Sequence, residues 1–234
     1  MKIQIWSDIM CPFCYIGKRR IEGALAHFPH KDKVTIEWKS FQLDPNFKAS
    51  KEDNVVDHLA KKYGKDIAWA KEMTTNVAQT AKSVGLDFNF DKAIMANSFN
   101  AHRLLHLAKK YNLGDALKEQ LLKAYFTDGK DVNDLNTLSE LGQAIGLSKE
   151  AIENVLHSDA FSEAVEKDIA IAQQIGIQGV PFFVFDNKYA ISGAQAEETF
   201  LQALEKTWEE GDFEKEFILD ANSNEASCDI DGCD

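Results

Sequence analysis

Strand-like patterning occurs only near the two ends of this 234-residue chain, and the long middle reads as helix. Lys2-Ile3-Gln4-Ile5-Trp6-Ser7 and Val34-Thr35-Ile36-Glu37-Trp38-Lys39-Ser40-Phe41 alternate polar and apolar residues, as half-buried strands do. Phe13–Phe28 between them is helical, with Ile21, Leu25 and Phe28 on one face. Strand, helix and strand joined this closely predict a right-handed unit with parallel strands. After Asp44-Pro45-Asn46 the helical signals run over Val55–Tyr63, Ile67–Val84, Ala96–Tyr111, Ala116–Phe126, Leu135–Ile145, Lys149–Leu156 and Phe161–Ile175. Gly85, Gly114, Gly146 and Gly176 fall at or just past helix ends, where left-handed caps belong. Strand pattern returns at Val180–Phe185, and Asp186-Asn187 turns it into Tyr189-Ala190-Ile191 as a hairpin. Ala196–Trp208 closes as an amphipathic helix. A βαβ half and a ββα half therefore flank a helical block too long to be a loop, which makes that block a subdomain. The expectation is an α/β chain in which 1–48 and 166–208 form one domain, 49–165 is a helical insertion and 209–234 is an acidic tail.

Cys11-Pro12-Phe13-Cys14 sits where the first strand ends and the first helix begins. Pro12 suits the first helical position, where its missing N–H costs nothing. A thiol at a helix N-terminus faces unpaired backbone N–H groups and the positive end of the dipole, both of which favour the thiolate. A second thiol three residues on can close a disulfide with it. A CxxC pair alone can equally be half of a zinc site or two packed thiols; the strand–CxxC–helix setting favours dithiol–disulfide exchange. On that reading Cys11 titrates well below the ordinary thiol value of about 8.5.

Composition excludes several function classes. Hydrophobic residues make up 44% and charged residues 27%, ordinary for a soluble globular protein. No run of 18 apolar residues exists, so no membrane span is expected. Met1 leads straight into the first strand, leaving no room for a signal peptide, so the protein is expected in the cytoplasm, where structural disulfides are rare. The net charge of −12 argues against nucleic acid as a partner. From Glu209 to Asp234 there are ten carboxylates against Lys215 alone, so −9 of that charge lies in the last 26 residues.

Gly179-Val180-Pro181-Phe182-Phe183-Val184-Phe185 is the other informative segment, with proline at the start of a strand, where a lost donor is tolerable. Strand–CPFC–helix, a helical insertion, then Gly-Val-Pro-x-Phe before a hairpin and last helix resembles the thioredoxin-fold DsbA family. It is most similar to the cytosolic FrnE-like branch. The resemblance covers residues 1–208, and Asn97-Ser98-Phe99-Asn100-Ala101-His102-Arg103-Leu104 is similar to that branch's insertion helix. It implies a thioredoxin fold carrying a helical insertion, with Cys11 as the exposed attacking thiol and Cys14 as the resolving thiol. Pro181 is implied to be a cis-proline facing the pair, and Val180 to offer its backbone to an incoming peptide as an edge-strand contact. Pro12 and Phe13 flank the attacking sulfur and belong to the same substrate-binding surface.

The implied activity is thiol–disulfide exchange on protein or low-molecular-weight disulfides, with no cofactor beyond the active-site disulfide and with glutathione as a candidate co-substrate. FrnE-like proteins resemble this chain in a second C-terminal cysteine pair, so Cys228 and Cys233 are candidates for a relay to Cys11–Cys14. A tail with incidental cysteines and a four-cysteine zinc site are the alternatives; the second would silence redox chemistry at Cys11, and no metal is expected. Asp8, three residues before Cys11, is a candidate proton acceptor during resolution, although an aspartate there more often caps a helix or turn. His102 and His106 have metal-pair spacing but nothing nearby completes a site, and Asn100 and Arg103 are weak candidates to line the cleft. Two rival functions remain open. One is a glutathione-dependent transferase or isomerase, resembling the kappa-class transferases and hydroxychromene-carboxylate isomerases, which usually carry serine at the position of Cys11. The other is a holdase whose cysteines only sense oxidation.

Overall fold

A computed structural model describes residues 1–48, 54–211 and 213. β1 (Lys2–Ser7), α1 (Pro12–His27) and β2 (Thr35–Ser40) form the first half. Seven helices follow: α2 (Val55–Tyr63), α3 (Ile67–Lys82), α4 (Phe99–Lys110), α5 (Gly114–Phe126), α6 (Leu135–Ala144), α7 (Lys149–Leu156) and α8 (Ser162–Gln174). β3 (Phe182–Phe185), β4 (Tyr189–Ser192) and α9 (Glu197–Glu209) complete the fold. The expected domain boundary between residues 165 and 166 falls inside α8.

The four strands make one mixed sheet in the order β2-β1-β3-β4, with β1 parallel to β2 and the other pairs antiparallel. The register sets Ile5 between Trp38 and Phe183, and Ile3 between Ile36 and Phe185. Alternation then divides β1 between the two faces. Ile3 and Ile5 join Ile16 and Ile21 of α1 and Phe200 and Leu204 of α9 in the main core. Trp6 points the other way, against Ala172 and Ile177, and its indole N–H donates to the Asp168 carbonyl of α8 at 2.9 Å. Phe183 and Phe200 meet edge to face at 4.6 Å, and burying such a ring is worth about 1.5–3 kcal/mol. The same main core runs unbroken into the helical block through Leu104, Leu121 and Ile152, so the insertion and the sheet share one apolar interior.

Of the four glycines expected as caps, Gly85, Gly146 and Gly176 have positive φ. Gly114 does not, because it opens α5; Asn112 takes the left-handed position just after α4, with φ +58°. Asparagine tolerates that region better than most residues, so α4 ends without needing glycine.

Candidate active site

Cys11 is the N-cap of α1 and Pro12 its first helical residue. Both Cys11 and Cys14 are free thiols, 4% and 1% exposed. The Cys11 thiol donates to the carbonyl oxygen of Val180 at 3.3 Å, and the Val180–Pro181 peptide is cis. The loop is pinned from behind, where the Pro181 carbonyl accepts from Gly193 N–H at 2.8 Å. β3 lies inside the sheet, between β1 and β4. Val180 itself lies in the loop just before β3. Phe13, 41% exposed, stands on the rim.

A buried polar layer lies behind the sulfurs. Asp8, 1% exposed, accepts from the backbone N–H of Leu43 at 2.8 Å and of Met10 at 3.3 Å, and faces His102 Nε2 at 3.4 Å. Burial pushes the Asp8 carboxyl up, but His102, the Leu43 N–H and the Ser98 hydroxyl outweigh it and hold it below the usual carboxylate range. It is thus well suited to tie β1 to the chain after β2. His102 is driven below its ordinary range by burial, against the pull of Asp8. Three buried side-chain polar atoms have no hydrogen-bond partner among the described residues: Ser7 Oγ, His102 Nδ1 and Lys118 Nζ. All three belong to this layer. Burial brings Lys118 down to about 8, although Cys14, Asp8 and Cys11 each favour its charged form.

The two thiols titrate as a pair. Hydrogen bonding with Cys14 and burial push Cys11 well above the ordinary thiol range. Burial also raises Cys14, but the Lys118 charge and the Asp8 backbone N–H help to bring it below that range. The first proton therefore leaves easily and the second is held.

A cavity of about 280 Å³ opens beside Cys11, lined by Pro12, Phe13, Val180, Leu43, Met73 and Phe126 among others, and is mostly apolar. Arg103 and Asn100 do not line it. Arg103 is buried as a clamp, donating to the carbonyls of Ala160 (2.9 Å), Val155 and Ser158 and to Asn100 Oδ1 (3.0 Å). His102 and His106 turn to different carboxylates, His106 to Asp168 at 3.2 Å. No cluster of three metal-ligating side chains occurs among the described residues. Cys228 and Cys233 lie outside the described residues. No helix among those described is long and apolar enough to cross a membrane.

Residues 2–205 match the DSBA-like thioredoxin domain family. The chain belongs to that family. Among solved structures, this DSBA-like chain is similar to a probable DsbA oxidoreductase of Streptomyces coelicolor, 41% identical with a TM-score of 0.84, covering 90% of this chain and 91% of that one. It is 26% identical over 205 residues to the uncharacterized protein YwbO of Bacillus subtilis, covering 86% of this chain and 94% of the relative. The cytosolic disulfide reductase DsbM of Pseudomonas aeruginosa with GSH shares the fold at 14% identity and a TM-score of 0.60, covering 89% of this chain and 100% of that one. The family is one of thiol–disulfide oxidoreductases built on a thioredoxin fold, and the helical insertion of this DSBA-like domain agrees with it.

The polar layer of this DSBA-like site contains two residues that sequence reasoning passed over, Ser7 and Lys118. Lys118 opens a helical stripe with Leu121, Leu122 and Tyr125 at i+3, i+4 and i+7, and a cation leading an apolar stripe was the available signal.

Proposed function

We propose that this chain exchanges disulfides with protein or low-molecular-weight substrates through Cys11, and that Cys14 resolves the mixed disulfide. The observation that carries this reading is the reduced Cys11 sulfur at a helix N-cap, 3.3 Å from the carbonyl of the loop opposite. A substrate disulfide accepts the Cys11 sulfur and leaves one thiolate; Cys14 then attacks Cys11 and releases the second. Pro181 brings no N–H toward the reacting sulfurs, and the Val180 backbone is the docking element for a peptide. The apolar cavity beside Cys11 suits a substrate whose disulfide is flanked by an apolar group. Glutathione is the recycling co-substrate in this reading, by analogy with the fold relative solved with it. The FrnE-like assignment, a cytoplasmic location and a relay from Cys228–Cys233 belong to the same reading; a Cys228→Ser/Cys233→Ser variant that cycles like the wild type would remove the relay.

The mostly apolar lining of that cavity favours a second reading, a glutathione-dependent isomerase or transferase acting on a small apolar compound. The pair of cysteines disfavours it. A glutathione redox titration, with alkylation and mass spectrometry scoring each cysteine separately, tests the first reading. A reversible Cys11–Cys14 couple supports exchange. Sulfurs that never equilibrate with glutathione overturn it.

A further inference from the structure

A second groove opens behind the ridge that walls the Cys11 cavity. The ridge is the chain after β2, laid against the run into α4. Leu43 and Phe47 line the cavity beside Cys11, whereas Gln42 and Pro45 line the other groove, and Ser98 and Asn97 divide in the same manner. Asn97 fastens the ridge. Its Nδ2 donates to the carbonyls of Pro45 at 3.1 Å and Phe47 at 3.2 Å, and its Oδ1 accepts from Gln42 Nε2 at 3.0 Å and Phe99 N–H at 2.9 Å. The second groove has a volume of about 600 Å³. Its lining includes four further or partly free carboxamides from separate parts of the chain: Gln42 after β2, Asn100 of α4, Asn133 between α5 and α6, and Gln173 of α8. Gln42 Oε1, Asn100 Nδ2 and the side chains of Asn133 and Gln173 have no hydrogen-bond partner among the described residues.

A carboxamide carries a donor and an acceptor side by side, as a peptide group does. Glu166 is the one charged residue in the lining, so the groove has little with which to select an ion. A ligand that repeats a neutral donor and acceptor along its length is extended polypeptide. Phe99 and Ile169 add apolar surface between the carboxamides for its side chains. We propose that this groove takes the backbone of an extended segment of a protein substrate, so that the client crosses the ridge at Leu43 with its reacting cysteine at Cys11. The inference rests on the exchange reading above and selects protein over low-molecular-weight disulfides. Leu43, 42% exposed, is a large apolar side chain for the crossing chain to rest against. Oxidised glutathione carries one residue on either side of each cysteine. One extended residue spans about 3.3 Å, less than the ~4.8 Å width of a single strand, so glutathione does not cross the ridge.

The test compares two disulfides as oxidants of the reduced protein, with alkylation quenching the reaction. One is oxidised glutathione; the other is the symmetrical disulfide of a peptide with alternating serine and alanine on both sides of its cysteine. Each rate is divided by that of the same disulfide with dithiothreitol. The peptide should then react about tenfold faster than glutathione, as one or two net hydrogen bonds would give. In the Asn133→Ala/Gln173→Ala protein the ratio of the two rates should return to near one. Backbone N-methylation of the peptide probes the same contact without touching the protein, and should also remove the gain. A peptide no faster than glutathione, or a gain that survives either change, overturns the role of the groove. Oxidised glutathione that never oxidises wild-type Cys11–Cys14 overturns the exchange reading itself, a separate result seen before any peptide or variant is made.

Discussion

Gly17 of α1 lies against Pro181, so the helix carrying both sulfurs is seated directly on the loop that faces them. A Cβ on Gly17 would lie 3.0 Å from Pro181 Cγ and 3.2 Å from Phe183 Cζ. A hydrogen is the only side chain that leaves both rings where they are.

Gly17→Ala should therefore force a small shift of the Pro181 loop, costing about 1–3 kcal/mol as overpacking does. Gly17→Val should cost more and slow exchange with oxidised glutathione. Denaturant melts and stopped-flow exchange measure the two effects. A Gly17→Val protein as stable and as fast as the wild type would show that helix and loop adjust independently.

Cys14→Ser removes resolution and leaves attack. Treated with oxidised glutathione, it should accumulate one glutathione per chain on Cys11, whereas Cys11→Ser should accumulate none at the active site. Intact-mass spectrometry and a peptide map read the difference. Equal labelling of the two variants would reverse the roles assigned to the sulfurs.

His102 and Asp8 make stability fall in acid. Both have folded-state values depressed below the unfolded ones, so between those values the unfolded chain binds more protons and stability rises with pH. The His102 contribution is complete above about 6.5 and the Asp8 contribution above about 3.9, the unfolded values; each is lost as pH falls toward its folded value. Melting temperature should decline in two stages, and His102→Gln should abolish the upper one. An unchanged upper stage in that variant would assign it to another group.

Arg103 is a fastening for the insertion, far in function from the sulfurs. Arg103→Met takes the side-chain donor from three carbonyls, of which only Val155's keeps a backbone N–H, and should destabilise the fold by about 2–5 kcal/mol. The glutathione equilibrium of Cys11–Cys14 should stay as in the wild type. A shifted equilibrium would instead place Arg103 in the working machinery.

The element boundaries of α2 and α7 agree residue for residue with the helical periodicity, because each is set by a capping side chain: Asn54 bonds Asp57 N–H, and Ser148 bonds Ala151 N–H. The start of α5 was misjudged since Gly114 reads as a stop signal, while Asn112 performs that role unannounced. At the site, the CxxC was legible from spacing, for both its cysteines lie on one local element. The polar layer was not. Ser7, Asp8, His102 and Lys118 come from β1, the turn after it, α4 and α5, so only the folded chain brings them together.

A hydrogen bond given by a sulfur lasts only while that sulfur keeps its hydrogen. The bond from Cys11 to Val180 is thus a property of the dithiol. Once Cys11 is tied into a disulfide, the Val180 carbonyl loses that donor and, on the proposed exchange reading, is open to the backbone N–H of a docked peptide. Grip on a client would then alternate with the number of electrons the protein carries. On that reading the oxidised protein would hold its client, and the reduced protein, having satisfied that carbonyl from within, would let go.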